Sequence, residues 1–430
     1  MQNASGETLE WFCAESSVNI EDNYNRVEIG AEMKSGSTTI SESYWNKRTK
    51  WVIFGQCNQF NIGNEGDGKY WSNMNSATIW SKTMLGDGER LHGFLGYYLG
   101  APQGVEHTTR LQAFFEYAKT MTIIDAWKEA HPSGLAVADT NWAVMYHNAN
   151  AKDRTTSFTE STAVGSEPII VLERYVAPTA SNASTSDVIS MNSYPLFVDN
   201  LDEASANNLY SMVRSKLIID EDSSLQIDEN DRIIYNNYNN HTGEENLGFE
   251  LSDAQAAAVA VETLGDLGLT PNGEYRTCVS YVRRYTLDPN DGQFINPETI
   301  EYTVYFYRTY NGIDLLSDEQ DGIVVSFNKY GLTELQYKWR DVQIVADAKL
   351  KSTSLVTVEQ AKNEYLSIVE ERTADVTVNS DNTNTAAPVI KMAYLQVGSE
   401  VKPVWVCSSN GNYGDHIFVD MNTGAQIMLL

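Results

Sequence analysis

The segment Lys50-Trp51-Val52-Ile53-Phe54-Gly55-Gln56-Cys57-Asn58 combines a short apolar run with a cysteine just beyond it. The run from Trp51 to Phe54 is rich in β-branched and aromatic residues and is bounded by a charge and a glycine. This pattern predicts a buried strand that ends at Gly55. Reacting side chains of α/β domains are commonly carried at strand ends, so the segment predicts that Cys57 stands at the edge of a sheet.

A second segment, Leu91-His92-Gly93-Phe94-Leu95-Gly96, repeats the strand pattern and contributes a histidine. Cys57 and His92 are therefore the candidate nucleophile and base. The alternative is structural, with Cys57 a buried inert thiol and His92 a histidine satisfied inside an apolar strand. The remaining histidines of this region, His107, His131 and His147, are predicted to be solvated residues of loops or helix ends, and Asp125 or Asp139 could orient an imidazole.

Helices and further strands follow these two segments. Apolar residues at helical spacing after Thr108 or Thr109 predict one helix, and a second is predicted from Ile123 to Ala130. The predicted strands cover 135–138, 142–146 and 168–172. This order of strands and helices predicts a three-layer α/β sandwich.

The strands that carry Cys57 and His92, together with the helix at Ile124-Asp125-Ala126-Trp127, resemble an uncharacterised bacterial and fungal family related to the caspase- and gingipain-like cysteine peptidases. The resemblance covers about residues 45 to 180 and implies a caspase-like sandwich with Cys57 at the nucleophile position. It also implies a His-Gly base after the preceding strand, yet no histidine precedes Cys57. The base is then either His92 or an upstream histidine outside this chain, or the domain is degenerate.

Composition limits the function classes. Lys plus Arg number 30 against 58 Asp plus Glu, a formal net charge of −28, which disfavours nucleic acid as a partner. No apolar run reaches the roughly 20 residues of a membrane span. The four cysteines, Cys13, Cys57, Cys278 and Cys407, lack metal-binding spacing, so we expect no metal and no cofactor. The abundance of Asn, Ser, Thr and Tyr favours an extracellular or cell-surface bacterial protein; this chain shows no signal or anchor, and one could precede Met1.

The chain divides at a small, polar, proline-bearing stretch, 177–186. We therefore predict an α/β domain over residues 1–185, followed by a linker and acidic connector over 186–249. The acidic runs 220–222 and 228–231 do not fit a calcium-binding loop and predict a solvated face.

From Leu251 onward the sequence repeats itself. Ser252 with Gln255, and Thr357 with Gln360, each place a hydroxyl three residues before a glutamine, the capping arrangement that opens a helix. Four predicted strands follow each helix: 276–285, 302–309, 322–328 and 333–339 in the first copy, and 389–396, 402–407, 416–421 and 425–429 in the second. The pattern predicts two α+β repeats, 250–348 and 349–430, each a helix on an antiparallel sheet.

This half resembles tandem PepSY-like domains, the modules of peptidase propeptides and secreted regulators. The resemblance is carried by the helix starts at Gln255 and Gln360, by Arg308-Thr309-Tyr310-Asn311-Gly312 and by Val419-Asp420-Met421-Asn422-Thr423-Gly424. It implies a non-catalytic role in inhibition, chaperoning or protein binding. Arg308 and Tyr310 are predicted to stabilise a turn rather than to bind a ligand.

Two functions follow. The first is an exported or cell-surface protein in which a degenerate cysteine-peptidase-like domain is joined to PepSY-like modules that bind a protein or peptide without catalysis. The alternative is a caspase/gingipain-like cysteine hydrolase that uses Cys57 with His92 or an upstream histidine.

Overall fold

The computed structural model describes residues 34–35, 38–39, 50–55, 60, 84, 91–98, 101–102, 104–131, 142–158, 169–176, 193–198, 203–220, 223–228, 231–237, 248–287, 294–317, 321–346, 356–374, 389–398, 400–409 and 412–427. Cys57 lies outside them. The chain forms two compact units. Unit 1 comprises Met1–Pro132, Asp139–Tyr175 and Tyr281–Ile300; unit 2 comprises Ser133–Ala138, Val176–Ser280 and Glu301–Leu430.

In its described residues, unit 1 has a mixed sheet with helices packed on it. Its elements are β1 (Lys34–Ser35), β2 (Thr38–Thr39), β3 (Trp51–Ile53), β4 (Gly93–Tyr97), α1 (Gly104–Tyr117), α2 (Ile123–Glu129), β5 (Trp142–His147) and β6 (Ile169–Val176). β3 and β4 pair in parallel, and β4, β5 and β6 then pair antiparallel in that order. The strands are buried along their length, as their continuous apolar sequences predict.

The two faces of this sheet differ. Tyr97 at the end of β4 contacts side chains of α1 and α2, so the helices pack on its face. Val52, Phe54 and Phe94 belong to an apolar cluster on the opposite face, to which Phe60 also contributes. Among the described residues, α1 and α2 pack on the first face, and the helical residue Met84 belongs to the cluster on the second. The three-layer sandwich therefore stays a prediction, and the predicted strand at 135–138 lies outside the described part of the chain.

The predicted helices of unit 1 are present, but the first begins earlier than expected. α1 starts at Gly104, so Thr108 and Thr109 lie inside it rather than at its cap. α2 is capped by Thr122, whose hydroxyl accepts a hydrogen bond from the amide of Asp125. Asp125 is thus engaged in a helix cap and not in orienting a histidine.

Unit 2 is dominated by strands. Its elements are β7 (Ser193–Val198), α3 (Glu203–Lys216), β8 (Ser223–Ile227), β9 (Ile233–Asn237), α4 (Asp253–Leu267), β12 (Ile313–Ser317), β13 (Gly322–Asn328), β14 (Gly331–Lys338), β15 (Asp341–Ala346), α5 (Val358–Ala374), β16 (Val389–Val397), β17 (Glu400–Ser409), β18 (Asn412–Asp420) and β19 (Gln426–Ile427). β10 (Tyr275–Leu287) and β11 (Phe294–Tyr310) each contribute one end to unit 1 and the other to unit 2.

The predicted helices and strands after residue 250 are present, but β12 and β15 were not predicted, and β12 pairs in parallel with β16. The division into two repeats, each a helix on an antiparallel sheet, stays a prediction. Ser252 and Gln255 form a complete capping box at the start of α4, and Thr357 and Gln360 make the same contacts before α5. α5 buries Ala361 and Tyr365 against the sheet of the second copy. These contacts do not test the resemblance to PepSY-like domains, which stays a prediction.

The stretch 186–249 differs from its predicted role as a linker and acidic connector, because it contains β7, α3, β8 and β9. β9 pairs antiparallel with β14, and β7 pairs antiparallel with β15. Ile233 and Tyr235 alternate inward from β9 and are buried. These pairings join residues about a hundred or more positions apart, which the acidic local composition does not reveal.

Candidate functional site

His92 lies immediately before β4 and is enclosed by other groups. Its Nδ1 lies 2.5 Å from Oδ2 of Asp153, and Nε1 of Trp51 donates to the same oxygen over 2.9 Å. The side chain of His92 is 2% exposed and that of Asp153 is fully buried. Sequence reasoning missed Asp153, which reaches the histidine from sixty-one positions away.

His92 lies at the amino end of the parallel pair. Gly93 is paired with Trp51, so His92 is level with Lys50 and accordingly donates its amide to the Lys50 carbonyl. Gly55 lies beyond the other end of β3, five residues after Lys50. At the usual strand rise this separates Gly55 from the level of His92 by about 16 Å. The pairing of Cys57 with His92 stays a prediction, because Cys57 lies outside the described residues.

A different histidine lies at the carboxyl end of β3. A Cβ built at Gly55 would lie 2.6 Å from Cε1 and 3.1 Å from Nε2 of His107, so only glycine leaves room for this imidazole. The ring of His107 also meets Tyr97 edge-on, with the ring centroids 6.3 Å apart. His107 is 9% exposed. The prediction that it is a solvated residue is wrong, because α1 begins early enough to carry it against the sheet.

His131 lies beside the same tyrosine. The Tyr97 hydroxyl is 2.9 Å from its Nε2, and its Nδ1 is 2.7 Å from the Trp127 carbonyl oxygen. Because a carbonyl only accepts, Nδ1 carries a proton, and the neutral ring then accepts from Tyr97 at Nε2. The pKa of His131 is lowered from 6.5 to about 3, chiefly by complete burial and in smaller part by the charges of Arg110, His107 and Arg174, while the hydrogen bond to the Trp127 carbonyl opposes this shift.

His131 is therefore buried and neutral, contrary to the prediction of a solvated residue. His147 is also buried, with Nε2 3.0 Å from the Met84 carbonyl oxygen. Both histidines lie in contact with elements distant in sequence, which local polarity does not predict.

Two arginine side chains add positive charge beside His131. Arg110 on α1 donates to the Ala130 carbonyl over 3.3 Å, and Arg174 on β6 donates to the His131 carbonyl over 3.1 Å. Positive charge of this kind lowers the pKa of a nearby thiol and favours the thiolate. We refer to Gly55, Tyr97, His107, His131, Arg110 and Arg174 as the carboxyl-end cluster.

The two cysteines that the structure describes have ordinary environments. Cys407 is fully buried, burial raises the pKa of its thiol to about 12, and its Sγ lies 3.9 Å from the Ala361 carbonyl oxygen. Cys278 is half-buried and forms no disulfide. Among the described residues, no three His, Cys, Asp or Glu side chains are grouped closely enough to hold a metal ion.

No helix in the described part of the chain is long and apolar enough to cross a membrane.

The Arg308 motif is engaged in packing contacts. Nη2 of Arg308 donates to the Asn272 side chain over 2.8 Å, and its guanidinium lies 4.0 Å above the Trp339 ring. Asn311 and Gly312 both have positive φ, as a two-residue hairpin turn requires. These contacts of Arg308 are with Asn272 and Trp339 and not with Asn311 or Gly312, so the turn-stabilising role stays a prediction.

Comparison with known proteins gives no match: no family model fits this chain, and neither a curated protein nor a solved structure is significantly similar to it.

Proposed function

We propose that unit 1 is a cysteine hydrolase domain in which Cys57 is the thiolate nucleophile and His107 is the base. The observation that carries the proposal is the close approach of the His107 imidazole to Gly55, two residues before Cys57. Nucleophile and base must come within hydrogen-bond reach, and two residues of chain span at most about 7 Å. His107 therefore fits the role better than His92, which is level with the far end of β3.

The surroundings of His107 support the same role. Active sites of open α/β sheets form at the carboxyl ends of parallel strands, and Gly55 and Tyr97 mark those ends of β3 and β4. Arg110 and Arg174 lower the pKa of His131, and a thiol held beside His107 would come under the same positive charge, which favours the thiolate. The reaction class is acyl transfer: the thiolate attacks a carbonyl carbon, and water later releases the acyl group.

The proposal is tested by the rate at which iodoacetamide alkylates Cys57 between pH 5 and 9, followed by peptide mass spectrometry. An activated Cys57 reacts rapidly near neutral pH, and the His107→Gln variant slows the reaction at pH 7 by about tenfold or more. The His92→Gln variant is the matched control and leaves the rate unchanged. Cys407 serves as an internal control, since its buried thiol stays unmodified until the protein unfolds.

Two outcomes contradict this proposal. One is a Cys57 that reacts only in denaturant. The other is an alkylation rate of Cys57 that neither His107→Gln nor His92→Gln changes. That result would mean that neither histidine acts as the base.

A second candidate is non-enzymatic binding of a protein or peptide, with the whole chain an exported or cell-surface protein. It is favoured by β15 in unit 2, an exposed strand that pairs only with β7 in the described part of the chain. This role needs no activated thiol. It predicts that a Cys57→Ser variant keeps full binding of the ligand, whereas the hydrolase proposal requires that the same variant lose hydrolysis.

A further inference from the structure

β7 and β15 form a two-stranded ribbon in unit 2. The amide of Phe197 on β7 donates to Oε1 of Gln396 over 2.7 Å, so this amide points away from β15. Phe197 and Val342 are therefore a non-hydrogen-bonded pair, and by alternation so are Pro195 and Ile344. The position of Pro195 agrees, because a proline has no amide to offer the ladder.

The same alternation fixes the direction of the backbone groups of β15. At Val342 and Ile344 the amide and carbonyl point to the outer edge of the ribbon, away from β7. Neither residue has a further hydrogen bond to any part of the chain that the structure describes. The side chain of Ile344 is 45% exposed, which is high for a large apolar residue of a strand.

Two other strand edges of unit 2 are protected at specific positions. The outer edge of β7 is closed by Pro195 and by the Gln396 side chain. On β8, the Tyr210 hydroxyl of α3 donates to the Leu225 carbonyl over 3.2 Å. Proteins generally protect edge strands in these ways, because an open edge pairs with other extended chains. β15 lacks this protection among the described residues.

We propose that the outer edge of β15 is a docking site for an extended basic peptide segment, which adds to the ribbon as a third strand. Backbone hydrogen bonds to Val342 and Ile344 would hold the segment, and its alternate side chains would contact Ile344. Net charge indicates which segment would bind. The chain has a formal net charge of −28, so it repels a second copy of itself and attracts a segment flanked by Lys or Arg. This inference rests on the binding role and not on the chemistry of Cys57.

The test uses the full chain and a fluorescein-labelled nonapeptide that alternates valine and threonine between pairs of lysines. Fluorescence anisotropy at low salt compares it with two controls, one with glutamates replacing the lysines and one N-methylated at each valine. We expect the basic peptide to bind at least about tenfold more tightly than either control. Amide exchange at Val342 and Ile344 should slow when the basic peptide is bound.

Two variants locate the site. Ile344→Pro removes the outward amide while sparing the bonds to β7, and it should weaken binding about tenfold or more. Ile344→Thr keeps the backbone and should weaken binding less, which separates the proposal from a folding defect. Tyr330→Ala, at an exposed hairpin tip, is the control for non-specific apolar binding and should bind like the unmodified chain.

Four results would overturn the proposal. They are no binding of the basic peptide, equal binding of the N-methylated peptide, unchanged binding by Ile344→Pro, and a dimer in sedimentation that Ile344→Pro abolishes. The last would assign the edge to a second copy. None of them bears on alkylation of Cys57, so the hydrolase proposal fails or stands separately.

Discussion

His131 is a buried base held neutral by its surroundings, and this makes the stability of unit 1 depend on pH. Its pKa is about 3 in the folded chain and 6.5 when unfolded, so between these values the unfolded chain binds more protons. Stability therefore falls as the pH drops below 6.5. From the 1.5 pH units between 6.5 and 5, we expect a loss of about 2 kcal/mol between pH 8 and pH 5.

Urea unfolding followed by tryptophan fluorescence at several pH values measures this loss. In the His131→Gln variant, which cannot titrate at this position, the dependence of the unfolding free energy on pH should become shallower by about the same amount. Equal pH dependence in both proteins would mean that His131 is accessible to protons in the folded state.

Gly55 shows why sequence reasoning did not consider His107 as a candidate base. The apolar run before Gly55 was sufficient to predict β3, and the glycine was interpreted only as the end of that strand. Its more specific role is to admit the His107 ring, which comes from a helix fifty positions later. Nothing in the spacing of Gly55 and His107 indicates that they meet, because the meeting depends on how α1 packs across the sheet.

At the scale of elements, the two capping boxes are the local signals that set the starts of α4 and α5. The Ser252 hydroxyl accepts from the amide of Gln255, and the Gln255 side chain accepts from the amide of Ser252 over 2.9 Å. Replacing Ser252 by Ala removes this cap, and we expect a loss of about 1 kcal/mol. Thr357→Ala should cost a similar amount at the start of α5.

Ser211→Ala is the matched control for both variants, because Ser211 is an exposed hydroxyl inside a helix, bonded only to the Asn207 carbonyl one turn earlier. Its effect on the urea midpoint should stay within about 0.5 kcal/mol. A Ser252→Ala effect no larger than that of the control would show that packing alone fixes the start of α4.

Local patterns predicted α4, α5 and most strands after residue 250, but they missed β12 and β15 and failed for the segment before α4. The capping residues, apolar alternation and turn glycines lie within each repeat, so they can be recognised along the chain. β9 has only a short alternation, Ile233 and Tyr235, and its partner β14 begins about a hundred residues later. Strand pairing at that separation is set by tertiary packing, and the surrounding acidic residues conceal it.

At the scale of the whole molecule, the two units share the strands β10 and β11, and this decides where the chain can be divided. Tyr285 and Leu287 on β10 belong to the apolar cluster of unit 1 that also contains Met145 and Val171. The Tyr285 hydroxyl donates to Oε1 of Glu173 over 2.6 Å, and Glu173 is fully buried. The N-terminal unit therefore depends on residues a hundred positions beyond the predicted boundary at 185.

A fragment of residues 1–185 should consequently fail to fold cooperatively. It would leave Glu173 buried without the Tyr285 hydroxyl, at a cost of about 1–3 kcal/mol, and would open the apolar cluster where Tyr285 and Leu287 stood. Near-ultraviolet circular dichroism and urea unfolding of the fragment measure this, with full-length Tyr285→Phe as the control that removes the hydroxyl alone. The control should keep a cooperative transition at a lower urea midpoint. If the fragment instead unfolds in one sharp transition at the midpoint of the full chain, residues 1–185 are a complete domain and β10 adds nothing to its stability.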